Sequence, residues 1–100
     1  MDKNRPYEEC LTEFKWEPPA RFNFARDVID PIGKDNPEKV AIEWVDDFEN
    51  RKTLTFKNIT DRSCQLANAL AHLGISRGDT VILILGRQIE WWEVLTACIR

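Results

Sequence analysis

The stretch Leu73–Leu85, "LGISRGDTVILIL", places two glycines, an arginine and hydroxyl side chains directly before an apolar run. It follows a helical pattern and precedes a strand pattern. Phosphate-binding loops have the opposite order, because they follow a strand and precede a helix whose N-terminus faces the phosphate. The helix end nearest this loop is a C-terminus, whose partial negative charge repels phosphate. The order favours a helix stop at Gly74 and a turn at Arg77–Asp79.

The elements on either side of this turn are a helix and a strand. Thr80–Leu85 is a continuous run of β-branched and leucine residues, which predicts a strand buried on both faces. Asn58–Leu73 is the clearest helix, with Asn58 as its cap and Asp61 favourable to the dipole in its first turn. The residues that keep helical phase are Ile59, Leu66, Leu70 and Leu73.

Two short strands are predicted upstream. Val40–Val45 and Lys52–Phe56 are linked by the charged turn Asp46–Arg51, which indicates an antiparallel hairpin. Before them, Phe22–Ile32 has the pattern of a short helix capped by Asn23 and ended near Asp30 by Pro31. Its predicted apolar face consists of Phe24, Val28 and Ile32.

The two ends of the chain differ in character. Residues 1–20 predict an irregular arm with a helical turn around Glu8–Phe14, whose aromatic residues suggest contact with an apolar surface. From Gln88 onward, helical spacing resumes with no stop signal before Arg100. The apolar face predicted for this last helix consists of Ile89, Trp92, Leu95 and Ile99.

Composition limits the class of protein. The chain has 100 residues, 43% hydrophobic and 31% charged, with a net charge of −3, which fits one small soluble domain. A nucleic-acid partner is not expected, because no basic stripe is present. No leader and no apolar run of roughly 20 residues is found, so a cytoplasmic location without a membrane span is expected. Cys10, Cys64 and Cys98 have no metal-ligand or disulfide spacing.

Few side chains are candidates for chemistry. Arg87 follows the predicted strand, where open α/β sheets bind ligands, so it is either an anion contact or a surface charge. Trp91 and Trp92 either line an apolar pocket or divide between the core and a contact with another domain. His72 has no evident partner. The acidic residues Asp46, Asp47 and Glu49 are expected to solvate the hairpin turn, although paired acids can perform acid–base chemistry.

The order of segments is more informative than any single motif. Five segments resemble, in this order, the N-terminal part of adenylate-forming acyl-CoA synthetases: FNFARDVID (22–30), NPEKVAIEW (36–44), KTLTFKNI (52–59), QLANALAHLGISRGDTVILIL (65–85) and EWW (90–92). FNFA and EWW are most similar to the medium-chain branch of that family. Gly86 and Ile89 depart from the branch, which carries prolines at these positions.

The resemblance implies an α/β fold, with residues 21–100 forming part of the N-terminal subdomain of the large domain: a hairpin, a buried strand and packed helices. Such enzymes activate a carboxylic acid with ATP and Mg to an acyl-adenylate and transfer the acyl group to coenzyme A. Their phosphate loop and catalytic lysine lie beyond the position of Arg100, so no catalytic, cofactor or metal residue is assigned here. The expected partner is the remainder of the synthetase, and the segment alone is expected to be inactive. The alternative is a small, non-catalytic α/β interaction module.

Overall fold

The computed structural model of the protein describes residues 4–100 and mixes helices with one two-stranded sheet. The elements in chain order are α1 (Tyr7–Glu13), a π turn (Ala25–Ile29), α2 (Asp30–Asp35), β1 (Val40–Val45), β2 (Arg51–Thr55), α3 (Phe56–His72) and α4 (Glu90–Ile99). This arrangement confirms the α/β class. Within residues 4–100 no helix is long and apolar enough to cross a membrane.

The predicted hairpin is confirmed as an antiparallel pair, with Val45 opposite Arg51 and an irregularity in register between Val40 and Ile42. Its turn depends on Asp46, whose carboxylate accepts hydrogen bonds from the backbone N–H groups of Phe48 and Asn50 at 2.9 and 2.8 Å. The Asn50 side chain also donates to it, and these bonds lower the pKa of the Asp46 carboxyl. The carboxylate of Asp46 therefore organises the turn, as an Asx-type side chain does.

Helix α3 begins earlier than predicted and is capped by a different residue. Thr55 is the N-cap: its hydroxyl accepts the backbone N–H of Asn58, while the Asn58 side chain accepts the backbone N–H of Thr55. Asn58 is therefore the third helical residue of a capping box rather than the cap itself. Sequence inspection placed Phe56 in the strand, although the chain has already turned into the helix there.

The predicted stop at Gly74 is confirmed. Gly74 has a φ of 91°, its N–H donates to Ala71 O, and the N–H of Ile75 donates to Leu70 O. This pair of bonds is a Schellman motif, which needs a residue with positive φ at this position. The turn predicted at Arg77–Asp79 is also confirmed, since Gly78 has a φ of 95° and Asp79 N–H donates to Ser76 O. It is called the 76–79 turn below.

The first helical segment differs from its prediction in extent and in face. Asn23 caps it as predicted, because its side chain accepts the N–H of Arg26. Pro31 does not end it, since the π turn places Pro31 in the first turn of α2, where the missing N–H costs no hydrogen bond. The buried residues are Ala25, Ile29 and Gly33. Each of them follows a residue of the predicted apolar face by one position. In that predicted face Phe24 is exposed, and Val28 and Ile32 are half-buried.

Small residues on this face allow α2 to approach α3 closely. A methyl group added at Gly33 would lie 3.1 Å from Lys57 N and 3.1 Å from Phe56 C, both of them backbone atoms. Backbone contacts of this kind cannot be relieved by rotating a side chain. The absence of a side chain at Gly33 is therefore what sets the separation of the two helices.

Helix α4 packs on α3 through a face that sequence inspection did not predict. Its buried residues are Glu93, Thr96 and Ala97, together with Ile89 just before the helix. Of the predicted apolar face only Ile89 is buried, whereas Trp92, Leu95 and Ile99 are 54%, 41% and 47% exposed. A hydrophobic face of α4 is thus left open to solvent. The predicted face of α3 is also only partly covered, since Leu73 is exposed.

The prediction of a buried strand at Thr80–Leu85 is wrong for the chain as it stands. These residues form no strand, and Ile82 and Ile84 are 82% and 88% exposed. The physical reason is the lack of a partner, because a strand needs a neighbour to satisfy its backbone N–H and C=O groups. The strands β1 and β2 pair with each other, and neither pairs with Thr80–Leu85.

The helical turn predicted in the N-terminal arm is α1, while residues 1–3 of the arm lie outside the described residues. The aromatic side chains of the arm do not find the apolar surface expected for them. Trp16 is 85% exposed, and its ring meets that of Phe14 edge-on at 5.0 Å. The two rings shield only each other.

Candidate functional site

The predicted candidates Arg87, Trp91 and Trp92 come together in one open cleft between the hairpin and the start of α4. Trp44 of β1 forms the opposite wall, and Gln88 and Leu95 complete the lining. The cleft has a volume of about 440 Å³. Trp44 was not predicted as a site residue, although the alternation of side chains along a short strand places it on one face of β1.

Two indole groups hold the backbone between α4 and the segment Thr80–Leu85, called the unpaired segment below because it forms no strand. Trp44 Nε1 donates to Arg87 O at 2.8 Å, and Trp91 Nε1 donates to Leu85 O at 3.3 Å. Amphipathic indoles are suited to this, since the ring packs while the N–H bonds a carbonyl. Arg87 is therefore positioned through its backbone carbonyl. Its exposed side chain makes no hydrogen bond or ion pair with residues 4–100.

Two cationic side chains lie in or near the cleft. Lys52 Nζ lies 5.4 Å from the centroid of the Trp44 ring, within the range of a cation–π interaction, and the guanidinium of Arg87 is exposed nearby in the lining. Trp91 is half-buried and Trp92 is exposed, and both line the cleft, as in the alternative that gave them an apolar pocket. The cleft is mostly apolar, and Arg87 is the charged residue of its lining.

Replacing Trp44 by phenylalanine is expected to lower the free energy of unfolding by about 1 kcal/mol, because the ring is kept and the hydrogen bond to Arg87 O is lost. Chemical denaturation at pH 7 measures this. Trp16→Phe is the matched control, since Trp16 is 85% exposed, and a change below about 0.5 kcal/mol is expected there. Equal effects of the two substitutions would contradict the role given to the Trp44 indole.

A second polar cluster, which sequence inspection did not identify, joins three helical segments. Arg100 donates to both carboxylate oxygens of Asp30, at 2.6 and 2.7 Å, and to Ser63 Oγ at 3.0 Å. Thr60 donates to the same carboxylate at 3.0 Å. Hydrogen bonds from Arg100 lower the pKa of the Asp30 carboxyl, against the opposing effect of partial burial. The fully buried Ser63 hydroxyl donates to Thr60 O, so this serine is held as a structural group.

The remaining candidates lie apart from the cleft. His72 is exposed in the last turn of α3. Cys10, Cys64 and Cys98 are free thiols. Among residues 4–100 no three His, Cys, Asp or Glu side chains are grouped closely enough to hold a metal ion.

A much larger groove lies between the unpaired segment and the helices. It has a volume of about 1410 Å³ and is lined by residues of α3, α4, the 76–79 turn and the chain around Phe22. Val81 and Leu83 of the segment before α4 are among its lining residues, together with Leu70 and Leu95 of the helices. Apolar side chains of the segment and of the helices thus border the same open space, beside several charged and polar residues.

Comparison with known proteins identifies a matching family and several relatives. The family described as AMP-binding enzyme matches residues 30–100. The chain is 38% identical over 100 residues to the mitochondrial acyl-coenzyme A synthetase ACSM2A of Homo sapiens, covering 90% of this chain and 17% of that protein. It is 37% identical over 101 residues to the mitochondrial acyl-coenzyme A synthetase ACSM3 of Homo sapiens, covering 94% of this chain and 17% of that protein.

A bacterial relative extends the similarity to the arm. The acetyl-coenzyme A synthetase of Gamma-proteobacterium EBAC31A08 is 33% identical over 100 residues, covering 99% of this chain and 16% of that protein. The chain therefore spans about a sixth of the length of the curated relatives it matches.

Proposed function

The chain belongs to the AMP-binding enzyme family, and we propose that it is the N-terminal part of an acyl-CoA synthetase. The complete enzyme would activate a carboxylic acid with ATP to an acyl-adenylate and transfer the acyl group to coenzyme A. The observation that carries the proposal is the match over residues 30–100 to that family, which contains both the hairpin and the α3–α4 pair.

The proposed substrate is a fatty acid of medium chain length. Support comes from the segments FNFA (22–25) and EWW (90–92), which are most similar to that branch. Phe22 lines the large groove, and Trp91 and Trp92 line the apolar cleft. Gly86 and Ile89 stand where the branch has prolines. In this chain the loop before α4 is held by hydrogen bonds from the indoles of Trp44 and Trp91.

In this proposal the segment has a structural role and is inactive by itself. ATP, Mg and coenzyme A would be bound by residues outside this chain, because the phosphate loop and catalytic lysine of such enzymes lie beyond the position of Arg100. The described residues offer helix caps, a hairpin and packing surfaces. The cytoplasmic location stays a prediction, and the names of two of the relatives describe those proteins as mitochondrial.

The experiment is carboxylate-dependent release of pyrophosphate from ATP, measured with the 100-residue chain and with the protein encoded when the reading frame is followed past Arg100. No release above background is expected from the chain, and release with a fatty acid is expected from the longer protein. Clear activity of the chain alone would contradict the structural role. A reading frame without a synthetase continuation would favour the interaction module, which the open face of α4 also fits.

A further inference from the structure

The unpaired segment leaves one of its two backbone edges free. Leu85 O accepts the Trp91 indole at 3.3 Å, whereas the backbone groups of residues 80–84 form no hydrogen bond with any part of 4–100. Successive residues of an extended chain direct their N–H and C=O groups to opposite edges. The edge of Leu85 O is turned toward α4, so the edge of Ile82 and Ile84 is the open one. No charge and no proline shields it, as these usually do at the edge of a sheet.

The sequence of this segment and its flanks is self-complementary when two copies run antiparallel. A two-fold axis at Leu83 sets Ile82 of each copy opposite Ile84 of the other. These isoleucines, 82% and 88% exposed in the single chain, then lie side by side on one face and shield each other. The same register sets Asp79 of each copy opposite Arg87 of the other. Opposite charges at facing positions stabilise a strand pair, and the Arg87 side chain has no ion pair with residues 4–100.

Neighbouring registers lose this match. An axis shifted by one residue toward the N-terminus sets Arg77 opposite Arg87, and like charges at facing positions are destabilising. An axis shifted by one residue toward the C-terminus sets Arg87 opposite the aliphatic Val81. An axis between two residues turns the exposed isoleucines of the two copies to opposite faces. The charges at the two ends of the segment therefore select the register centred on Leu83.

We infer that two copies of this 100-residue chain pair through the unpaired segment as antiparallel strands, with Leu83 on the two-fold axis. An ion pair between Asp79 of one copy and Arg87 of the other closes each end. Because the open edge belongs to Ile82 and Ile84, these residues form the hydrogen-bonded pairs. Leu83 then lies in a non-hydrogen-bonded pair, with its two Cα atoms about 4.5 Å apart. The inference goes beyond the proposed function, since it holds for this chain whether or not it is part of a synthetase.

Disulfide trapping locates the axis, in a chain whose three native cysteines are replaced by alanine. Leu83→Cys is expected to give a covalent dimer on mild oxidation, because a Cα separation of about 4.5 Å fits a disulfide. Val81→Cys, which lines the same groove, is expected to give almost none, because its two copies lie about 14 Å apart along the strands. Val81→Cys mixed with Leu85→Cys is expected to be trapped again. Equal trapping of Leu83→Cys and Val81→Cys, or no trapping of either, would overturn the inference.

Sedimentation equilibrium of the native sequence and of a matched pair of variants tests the charges. Arg87→Glu and Arg77→Glu change the charge equally, and both arginines are exposed. Arg87→Glu is expected to raise the dimer Kd at least about tenfold, because it sets two acids opposite each other at both ends of the pair. Arg77→Glu is expected to change it less than about threefold, since no charge faces Arg77 in this register. Equal effects, a native chain that stays monomeric, or assemblies larger than a dimer would overturn the two-fold pairing.

Discussion

Replacing Asp30 by alanine is expected to lower the free energy of unfolding at pH 7 by about 2–3 kcal/mol. The change removes the acceptor of two charge-assisted hydrogen bonds from Arg100 and of one from Thr60. The guanidinium side chain is only 17% exposed, and its Nε already lacks a partner, so water cannot fully compensate. Chemical denaturation measures the loss.

Asp61→Ala is the matched control for this substitution. Asp61 forms an ion pair with Lys57 at 2.6 Å, but both side chains are more than half exposed. Exposed i,i+4 pairs contribute about 0.3–0.5 kcal/mol. Similar losses for the two aspartates would contradict the view that burial and multiple donors set the strength of the Asp30 cluster.

The contribution of Asp30 should also depend on pH in a defined direction. Its carboxyl pKa is lower in the folded state than in the unfolded state, because Arg100 donates to it. The folded protein therefore binds fewer protons, and the stabilisation is complete above about pH 5 and is lost as pH falls through the folded pKa. The difference between wild type and Asp30→Ala is expected to shrink between pH 7 and pH 3. A difference that stays constant would assign the effect to packing.

Gly33→Ala is expected to destabilise the protein by about 1–2 kcal/mol. Alanine is favoured over glycine in a helix by about 1 kcal/mol. The added methyl group would press on backbone atoms of Phe56 and Lys57, and overpacking of this kind costs about 1–3 kcal/mol or more. Thermal and chemical denaturation of the variant measure the balance of the two effects.

Gly86→Ala provides the control for Gly33→Ala. Nothing lies within 4 Å of a methyl group added at Gly86, and its φ is not in the left-handed region. A change of less than about 0.5 kcal/mol is expected. If Gly33→Ala proved as neutral as Gly86→Ala, α2 and α3 would have room to separate, and the close approach would not determine their packing.

Local signals in the sequence predicted local structure well. The Gly74 stop, the 76–79 turn, the hairpin and the Asn23 cap depend on neighbouring residues, and the structure contains them. The predicted cap of α3, Asn58, lies three positions after the observed cap, Thr55. Both residue types are good caps, and only the hydrogen bonds of the capping box show which of the two is the cap.

Helix faces and the strand were harder to predict, because they depend on distant partners. Apolar periodicity favours Phe24, although the structure buries Ala25 and leaves Phe24 exposed. In α4, burial of Glu93 follows from its pairing with Arg62 at 3.4 Å, which no apolar pattern reveals. The prediction for Thr80–Leu85 presupposed neighbours that the described residues do not supply.

The Asp30–Arg100 cluster has a consequence for the order in which the chain acquires its structure. Its two charged members are 70 residues apart, so during synthesis the carboxylate of Asp30 leaves the ribosome long before its guanidinium partner. Ser63 and Thr60 are made between them, and Thr60 can bond the carboxylate first. The contact with Arg100 is of high sequence separation and closes a long loop, which is slow relative to helix formation. A nascent chain is thus expected to form an α2–α3 pair first, and emergence of Arg100 from the ribosome is expected to complete the cluster.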